Sequence, residues 1–232
     1  MSERENAVIV GVGPGLGWHL VETCSTEGMR VAMAARRRER LQSLLGEAGL
    51  ADVLALECDV AEAEQVEALF AKAESEQGPP DLVVFNASAR ALGGVLELDP
   101  DEVERAWRVG ALGALHVAQA ALARMAKRGR GTLIFTGATA GLRGGKGFAG
   151  FAMVKFSLRA LAQSAAREFG PQGVHVAHVN IDGQISSART AERDPKELLD
   201  PGAIAETYMM LHRQHPTAWT QELDLRPAVE KF

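Results

Sequence analysis

The chain has 232 residues, 25 Lys and Arg against 30 Asp and Glu, a formal charge of -5, and two cysteines. Acids and bases are interspersed, which excludes a dedicated nucleic-acid face, and no Pro/Ser/Gly-rich linker divides a length suited to one compact α/β domain. A polar start (MSEREN), no apolar run approaching the roughly 18 residues of a membrane span, and Cys24 and Cys58 in apolar patterns without metal-ligand spacing predict a cytoplasmic protein with reduced thiols.

Ala7-Val8-Ile9-Val10 is a short, largely β-branched run that suits a strand buried on both faces of a parallel sheet. Gly11, Gly13, Gly15 and Gly17 follow, removing Cβ atoms where the chain must bend sharply and where a ligand would approach the backbone. Leu16, Leu20, Val21 and Cys24 then fall at helical spacing. Strand, glycine turn and helix place free amides and the positive end of a helix dipole at the turn, a site for a phosphate or pyrophosphate. Gly11, Gly15, Leu16 and Gly17 are its candidate residues.

Arg30 to Ala35 predicts a second strand, about 20 residues beyond the glycine turn, where a dinucleotide-binding βαβ unit reads the adenosine ribose. An acid there would bond a free 2′-hydroxyl. Arg36, Arg37 and Arg38 stand there instead, and guanidinium forks suit a 2′-phosphate, favouring NADP(H) over NAD(H). The alternative is a solvated first turn of the helix ERLQSLLGEAG, although basic residues at a helix start oppose its dipole.

Val53 to Leu56 is a third strand, ending in Cys58-Asp59-Val60; Asp59 either caps the helix from Glu62 to Ser75 or accepts from an adenine amino group. Asp81 to Phe85 is a fourth strand, ending at Asn86-Ala87-Ser88-Ala89, small enough for a cofactor to lie against the backbone. Asp99-Pro100-Asp101 starts a long helix to about Lys127, with Val103, Trp107, Ala111, Ala114, Leu115, Ala118, Ala121, Leu122 and Met125 as its apolar face. His116 on it reads as a packed or partly exposed residue. Gly131 to Thr136 is a fifth strand, a loop from Gly137 to Gly150 follows, and Phe151, Val154, Leu158, Leu161 and Ala165 mark another long helix. Val174 to Val179 is the sixth strand, with His175 and His178 on opposite faces.

Strands alternating with helices imply a doubly wound parallel sheet covered on both faces, a three-layer α/β fold, with ligands beyond the carboxyl ends of the strands. Arg189 to Leu199 reads as a polar lid, about Pro201 to Gln214 as a helix carrying the only tyrosine, Tyr208, near the substrate side, and Trp219 to Pro227 as an edge strand.

Gly11-x-x-x-Gly15-x-Gly17, Asp59-Val60, Asn86-Ala87, a loop closing with Ala140-Gly141, Lys155 on the next helix, then Val179-Asn180 and Gly183-Gln184-Ile185 occur in this order and spacing. From Ala7 to about Ser187 the chain resembles the short-chain dehydrogenase/reductase family. The resemblance implies a Rossmann-type fold, a nicotinamide dinucleotide held by the residues above with Val60, Lys155, Gly183 and Ile185, a small-molecule substrate, and a homodimer or homotetramer built on the two long helices. It also marks departures. Phe151 stands where the family has the proton-donating Tyr, Ala138 where it has Ser, and Gly110 where it has a supporting Asn; Lys155 alone remains. The family's common Asp-Gly-Gly end is replaced by Asp224-Leu225-Arg226-Pro227, so its subunit contacts do not carry over.

Hydride transfer to a carbonyl builds charge on oxygen, and general acid catalysis is worth about 10²- to 10⁴-fold. Thr139 beside Ala138, or Lys155 with its pKa lowered by burial, are the candidate substitutes; Lys155 equally fits a pure cofactor anchor. Arg143 and Lys146 in the loop are candidates for a substrate anion. The expected substrate site is Ala138, Thr139 and Phe151, and two activities fit: an oxidoreductase of atypical mechanism, or an inactive dinucleotide-binding protein serving as sensor or partner subunit.

Overall fold

In the computed structural model, which describes residues 4–230, seven strands form one parallel sheet. They are β1 (Asn6–Val10), β2 (Arg30–Ala35), β3 (Val53–Glu57), β4 (Leu82–Phe85), β5 (Gly131–Thr136), β6 (Val174–Ile181) and β9 (Glu222–Leu225). Their order is β3-β2-β1-β4-β5-β6-β9 and every neighbouring pair runs parallel. β1 and β4, far apart in sequence, lie side by side with Val10 opposite Phe85. That juncture is where the crossovers change direction, and it opens the crevice at the carboxyl ends of the strands.

Two apolar layers sandwich the sheet. One face carries α3 (Ala63–Gln77), α5 (Gly113–Arg128) and α6 (Ala149–Phe169), with Phe70, Ala118, Met125 and Leu158 packed on Val83, Phe85, Leu133 and Phe135. The other carries α1 (Leu16–Thr26), α2 (Arg38–Ala48) and α7 (Pro201–His212), packed on Ile9, Met33, Val84 and Ile134. Alternate residues of each strand supply alternate layers, which is why the strands read as unbroken apolar runs. The three-layer, doubly wound fold expected from the sequence is the one observed.

Asp99 caps α4 (Pro100–Trp107), its carboxylate accepting from the Asp101 amide at 2.9 Å. The long helix is interrupted: Arg108–Leu112 forms one wide π-helical turn before α5 continues it. Trp107 and Leu115, expected on the buried face, are exposed and flank the stripe of Ala111, Ala114, Ala118 and Ala121. Taken together, Pro100–Arg128 is long and apolar enough to cross a membrane, correcting the sequence reading, and 56% of its most apolar window is buried in this fold. His116 is packed as expected, its Nδ1 at 3.0 Å from the Val60 carbonyl oxygen.

Within the stretch read as a lid, Gln184–Ile185 (β7) pairs with Leu198–Leu199 (β8) in a small second sheet. β9 is one of the two edge strands, tied to α6 by Arg159, whose Nε and Nη2 donate to the Glu222 carboxylate at 2.9 and 2.8 Å. His175 stacks on Trp219 at 5.0 Å between ring centroids, while His178 lies near Arg159 and Lys155 beneath α6, so the two histidines do face opposite ways. Cys24 and Cys58 are free and buried, and burial pushes their thiols up to about 12 and about 11.

Candidate active site

The glycine turn is built by two kinds of glycine. Gly11 has φ +90, and a Cβ there would lie 2.3 Å from the Ala87 amide nitrogen; a Cβ on Gly17 would lie 2.8 Å from the Val12 Cα. These two let the turn press against the end of β4. Gly13 and Gly15 face open space, with nothing within 4 Å of where a Cβ would stand. A phosphate pressed onto backbone amides requires an open surface of this kind. Gly15 caps α1 without any side-chain hydrogen bond, leaving the helix start available, and the Leu16 side chain is buried so that only its backbone faces the turn.

Asn86 locks this turn to the next strand: its Nδ2 donates to the Gly11 carbonyl oxygen at 3.0 Å, and its amide donates to Val10 at 2.8 Å. Arg36, Arg37 and Arg38 are exposed at the end of β2 and make no salt bridge among the described residues. Asp59 does not cap α3, because Glu62 occupies the cap position; instead its Oδ1 accepts from the Ala61 amide at 3.1 Å in the preceding turn. Val60 is buried against Gly113, whose Cβ would lie 2.7 Å from it. Gly183 has φ +152 and leads from Asp182 into β7, where Ile185 pairs with Leu199.

Lys155 and Phe151 lie one helical turn apart on α6, hence on one face. Lys155 is only 4% exposed, and its Nζ donates to the Thr136 carbonyl oxygen at 2.8 Å. Burial, and next the charge of Arg90, lower its pKa to about 8. The Nζ also lies 5.8 Å from the centroid of the Phe151 ring, and the Arg90 guanidinium lies 5.3 Å from the same centroid. Phe151 packs with Ala138, Ala140 and Ala152, so the floor of the site has no hydroxyl.

Thr139 is adjacent, but its hydroxyl donates to Asp182 Oδ1 at 2.7 Å, and Arg226 approaches the other oxygen of that carboxylate at 3.4 Å. It is held as a tie between loop and strand end. Gly110 sits in the π-helical turn, and any Cβ there would lie 2.3 Å from Val154 Cγ1. Tyr208, expected near the substrate side, is fully buried on the opposite face of the sheet, with its hydroxyl 2.9 Å from Thr136 Oγ1. Burial pushes its phenol well above the usual tyrosine range. It takes no part in the site.

The structure thus brings Gly11, Gly15, Gly17 and Asn86 together at one end of the crevice and Ala138, Phe151 and Lys155 at the other. Arg90 is the residue that sequence reasoning missed. No motif marks a single arginine in a loop; its only signal is its place directly after Asn86-Ala87-Ser88-Ala89. A hollow of about 710 Å³ lies elsewhere, between α3 and α5, lined by Glu67, His116, Arg124 and Lys127.

The sequence pattern of the family described as short chain dehydrogenase matches residues 5–197. An uncharacterized oxidoreductase of Staphylococcus aureus, SA2266, is 27% identical over 223 residues, covering 95% of this chain and 96% of its own. Among solved structures, a short-chain dehydrogenase from Rhodopseudomonas palustris is 32% identical with a TM-score of 0.84, covering 96% of this chain and 98% of its own. The alcohol dehydrogenase from the archaeon Thermococcus sibiricus, complexed with 5-hydroxy-NADP, is 27% identical with a TM-score of 0.87 and covers 99% of both chains.

Proposed function

Since the chain belongs to the short-chain dehydrogenase family, we propose that it is an NADP(H)-binding oxidoreductase working with a reduced set of catalytic groups, Lys155 kept and Phe151, Ala138 and Gly110 replacing Tyr, Ser and Asn. The observation that carries this reading is the glycine turn, whose Gly13 and Gly15 leave open space beside a helix start, in one crevice with a buried lysine. These residues fit a dinucleotide. The Gly11, Gly15, Leu16 and Gly17 backbone would hold the pyrophosphate, Asp59, Val60 and Asn86 the adenosine side, and Lys155, Gly183 and Ile185 the nicotinamide side. Arg36, exposed at the end of β2 and without an ion pair among the described residues, supports the preference for a 2′-phosphate, as does the 5-hydroxy-NADP bound by the Thermococcus sibiricus relative.

When bound, the cofactor supplies or accepts a hydride. The protein's own contribution is narrower than in a full tetrad. Phe151, Ala138 and Ala140 exclude water and offer no proton. Thr139 has its hydroxyl on Asp182. Lys155 Nζ is left as the one group there with a proton to give, and a pKa of about 8 keeps it protonated yet able to release near neutral pH. A site that gives little help to a developing oxyanion suits reduction of an activated C=C or C=N bond, where less charge gathers on oxygen. A homodimer or homotetramer on α5 and α6 belongs to the same reading, supported by exposed Leu115, Met153 and Phe156. So does a cytoplasmic setting, where the free thiols stay reduced.

Titrating purified protein with NADPH and with NADH, read by nicotinamide fluorescence, tests the reading. Tighter binding of NADPH is expected, and affinity for neither overturns it. Binding without turnover on ketones, activated alkenes and imines selects the second reading, a cofactor-binding sensor or partner subunit.

A further inference from the structure

Arg90 is placed by its neighbours rather than left on a loose loop. Ala91 beside it is fully buried with Ala106 and Val154, and a Cβ on Gly150 would lie 2.9 Å from Ala91, so this segment presses directly on the first turn of α6. The Gly93 amide donates to the Gly147 carbonyl oxygen at 3.0 Å, pinning the same segment to the loop before α6. The outcome is a guanidinium held 5.3 Å from the centroid of the Phe151 ring, exposed, with no hydrogen bond or ion pair from its side chain among the described residues. A fixed, exposed cation facing the floor of a site and lacking an acid is an anion receptor.

We infer that Arg90 selects a substrate carrying a carboxylate, its planar fork taking the two oxygens while the adjoining apolar atoms lie against Phe151 and Ala138. Lys155, the second cation near that ring, adds to the attraction. The flat aromatic floor and the single guanidinium favour a planar monoanion over a tetrahedral phosphate. This rests on the reading that Phe151 lines the substrate site, and it names the substrate class for that site.

Benzoate and benzamide, alike in shape and different in charge, test it by calorimetry on the NADPH-saturated protein and on the protein alone. Benzoate is expected to bind roughly tenfold or more tightly than benzamide, the strength of one charge-assisted pair. Arg90→Gln should abolish that preference, Arg90→Lys should keep part of it, and NADPH affinity should be unchanged in both. Equal binding of the two probes, a preference surviving in Arg90→Gln, or tighter binding of inorganic phosphate than of benzoate overturns the inference. A loss of NADPH affinity in Arg90→Gln also overturns it, by assigning Arg90 to the cofactor. Failure of the unsubstituted protein to bind NADPH would instead sink the oxidoreductase reading, while the cofactor-free titration still reads Arg90.

Discussion

Gly110 and Val154 compete for one volume: a Cβ on Gly110 would lie 2.3 Å from Val154 Cγ1, and Val154 is fully buried. The position where the family resemblance places a supporting Asn is therefore closed, not merely truncated. A β-branched neighbour with a restricted χ1 cannot swing aside cheaply, and the π-helical turn at Arg108–Leu112 holds the backbone close.

Gly110→Ala is accordingly expected to destabilise the fold. Overpacking costs about 1 to 3 kcal/mol, against a gain of up to about 1 kcal/mol in helix propensity. Combining it with Val154→Ala makes room, so the double variant should lose less than the two single losses added together, by about 0.5 kcal/mol or more. Urea unfolding of the four proteins measures this, and strict additivity would show that the two residues do not compete.

Lys155 should leave a mark on the pH dependence of stability. Burial, and next Arg90, lower its pKa from 10.5 to about 8. The folded state therefore holds this proton less tightly than the unfolded chain does. Below about pH 8 the whole cost of a buried charge is present, and above about pH 10.5 none remains, so stability rises with pH between the two. Relative to Lys155→Met, the normal protein should gain about 3 kcal/mol across that window, at 1.36 kcal/mol per pKa unit. Parallel stability profiles for the two proteins would contradict the assignment.

Arg36 offers a direct probe of cofactor choice. Arg36→Ala removes an exposed guanidinium from the end of β2 that has no ion-pair partner among the described residues, so stability should hardly change. NADPH affinity should fall by about tenfold, the value of one charge-assisted hydrogen bond, while NADH affinity stays level. Equal affinities for the two, insensitive to the substitution, would refute a 2′-phosphate site.

Most of this architecture could be read from the sequence because its signals are local. β2 and β5 fall on the residues expected, since β-strand runs buried on both faces are bounded by glycine or charge. The misses are matters of three-dimensional neighbourhood. Helical periodicity runs through Arg108–Leu112 unchanged, so nothing in the pattern shows a turn widened where Gly110 and Gly113 press on Val154 and Val60. Tyr208 lies on a helix whose face of the sheet is set by crossover topology, and spacing cannot say that its hydroxyl meets Thr136 on the far side. Two-residue strands such as β7 and β8 are too short to carry alternation. Thr139 kept its hydroxyl in the sequence reading and lost it to Asp182, a residue 43 positions away.

Restoring the missing acid is the most demanding test of the site. In Phe151→Tyr the new phenol would stand beside the Arg90 guanidinium, which lies 5.3 Å from the ring centroid and, unlike Lys155 with its pKa of about 8, stays charged where a phenol titrates. The Arg90 charge favours phenolate while burial disfavours it, so the phenol should titrate lower in Phe151→Tyr than in Phe151→Tyr combined with Arg90→Gln. The phenolate absorbance change can be assigned without ambiguity. Tyr208 is the only native tyrosine, and burial, weakly opposed by its Thr136 bond, raises its pKa, so it titrates later. Adding Ala138→Ser supplies a hydroxyl for a substrate oxygen, and the pair should raise the rate on simple ketones by about 10²-fold or more, the lower range of general acid catalysis. A phenol pKa that Arg90→Gln leaves unmoved would mean that the hydroxyl lies out of reach of the guanidinium. A phenol that responds to Arg90 without any gain in ketone reduction would mean that the closed Gly110 position, not the absent proton, governs what this site can reduce.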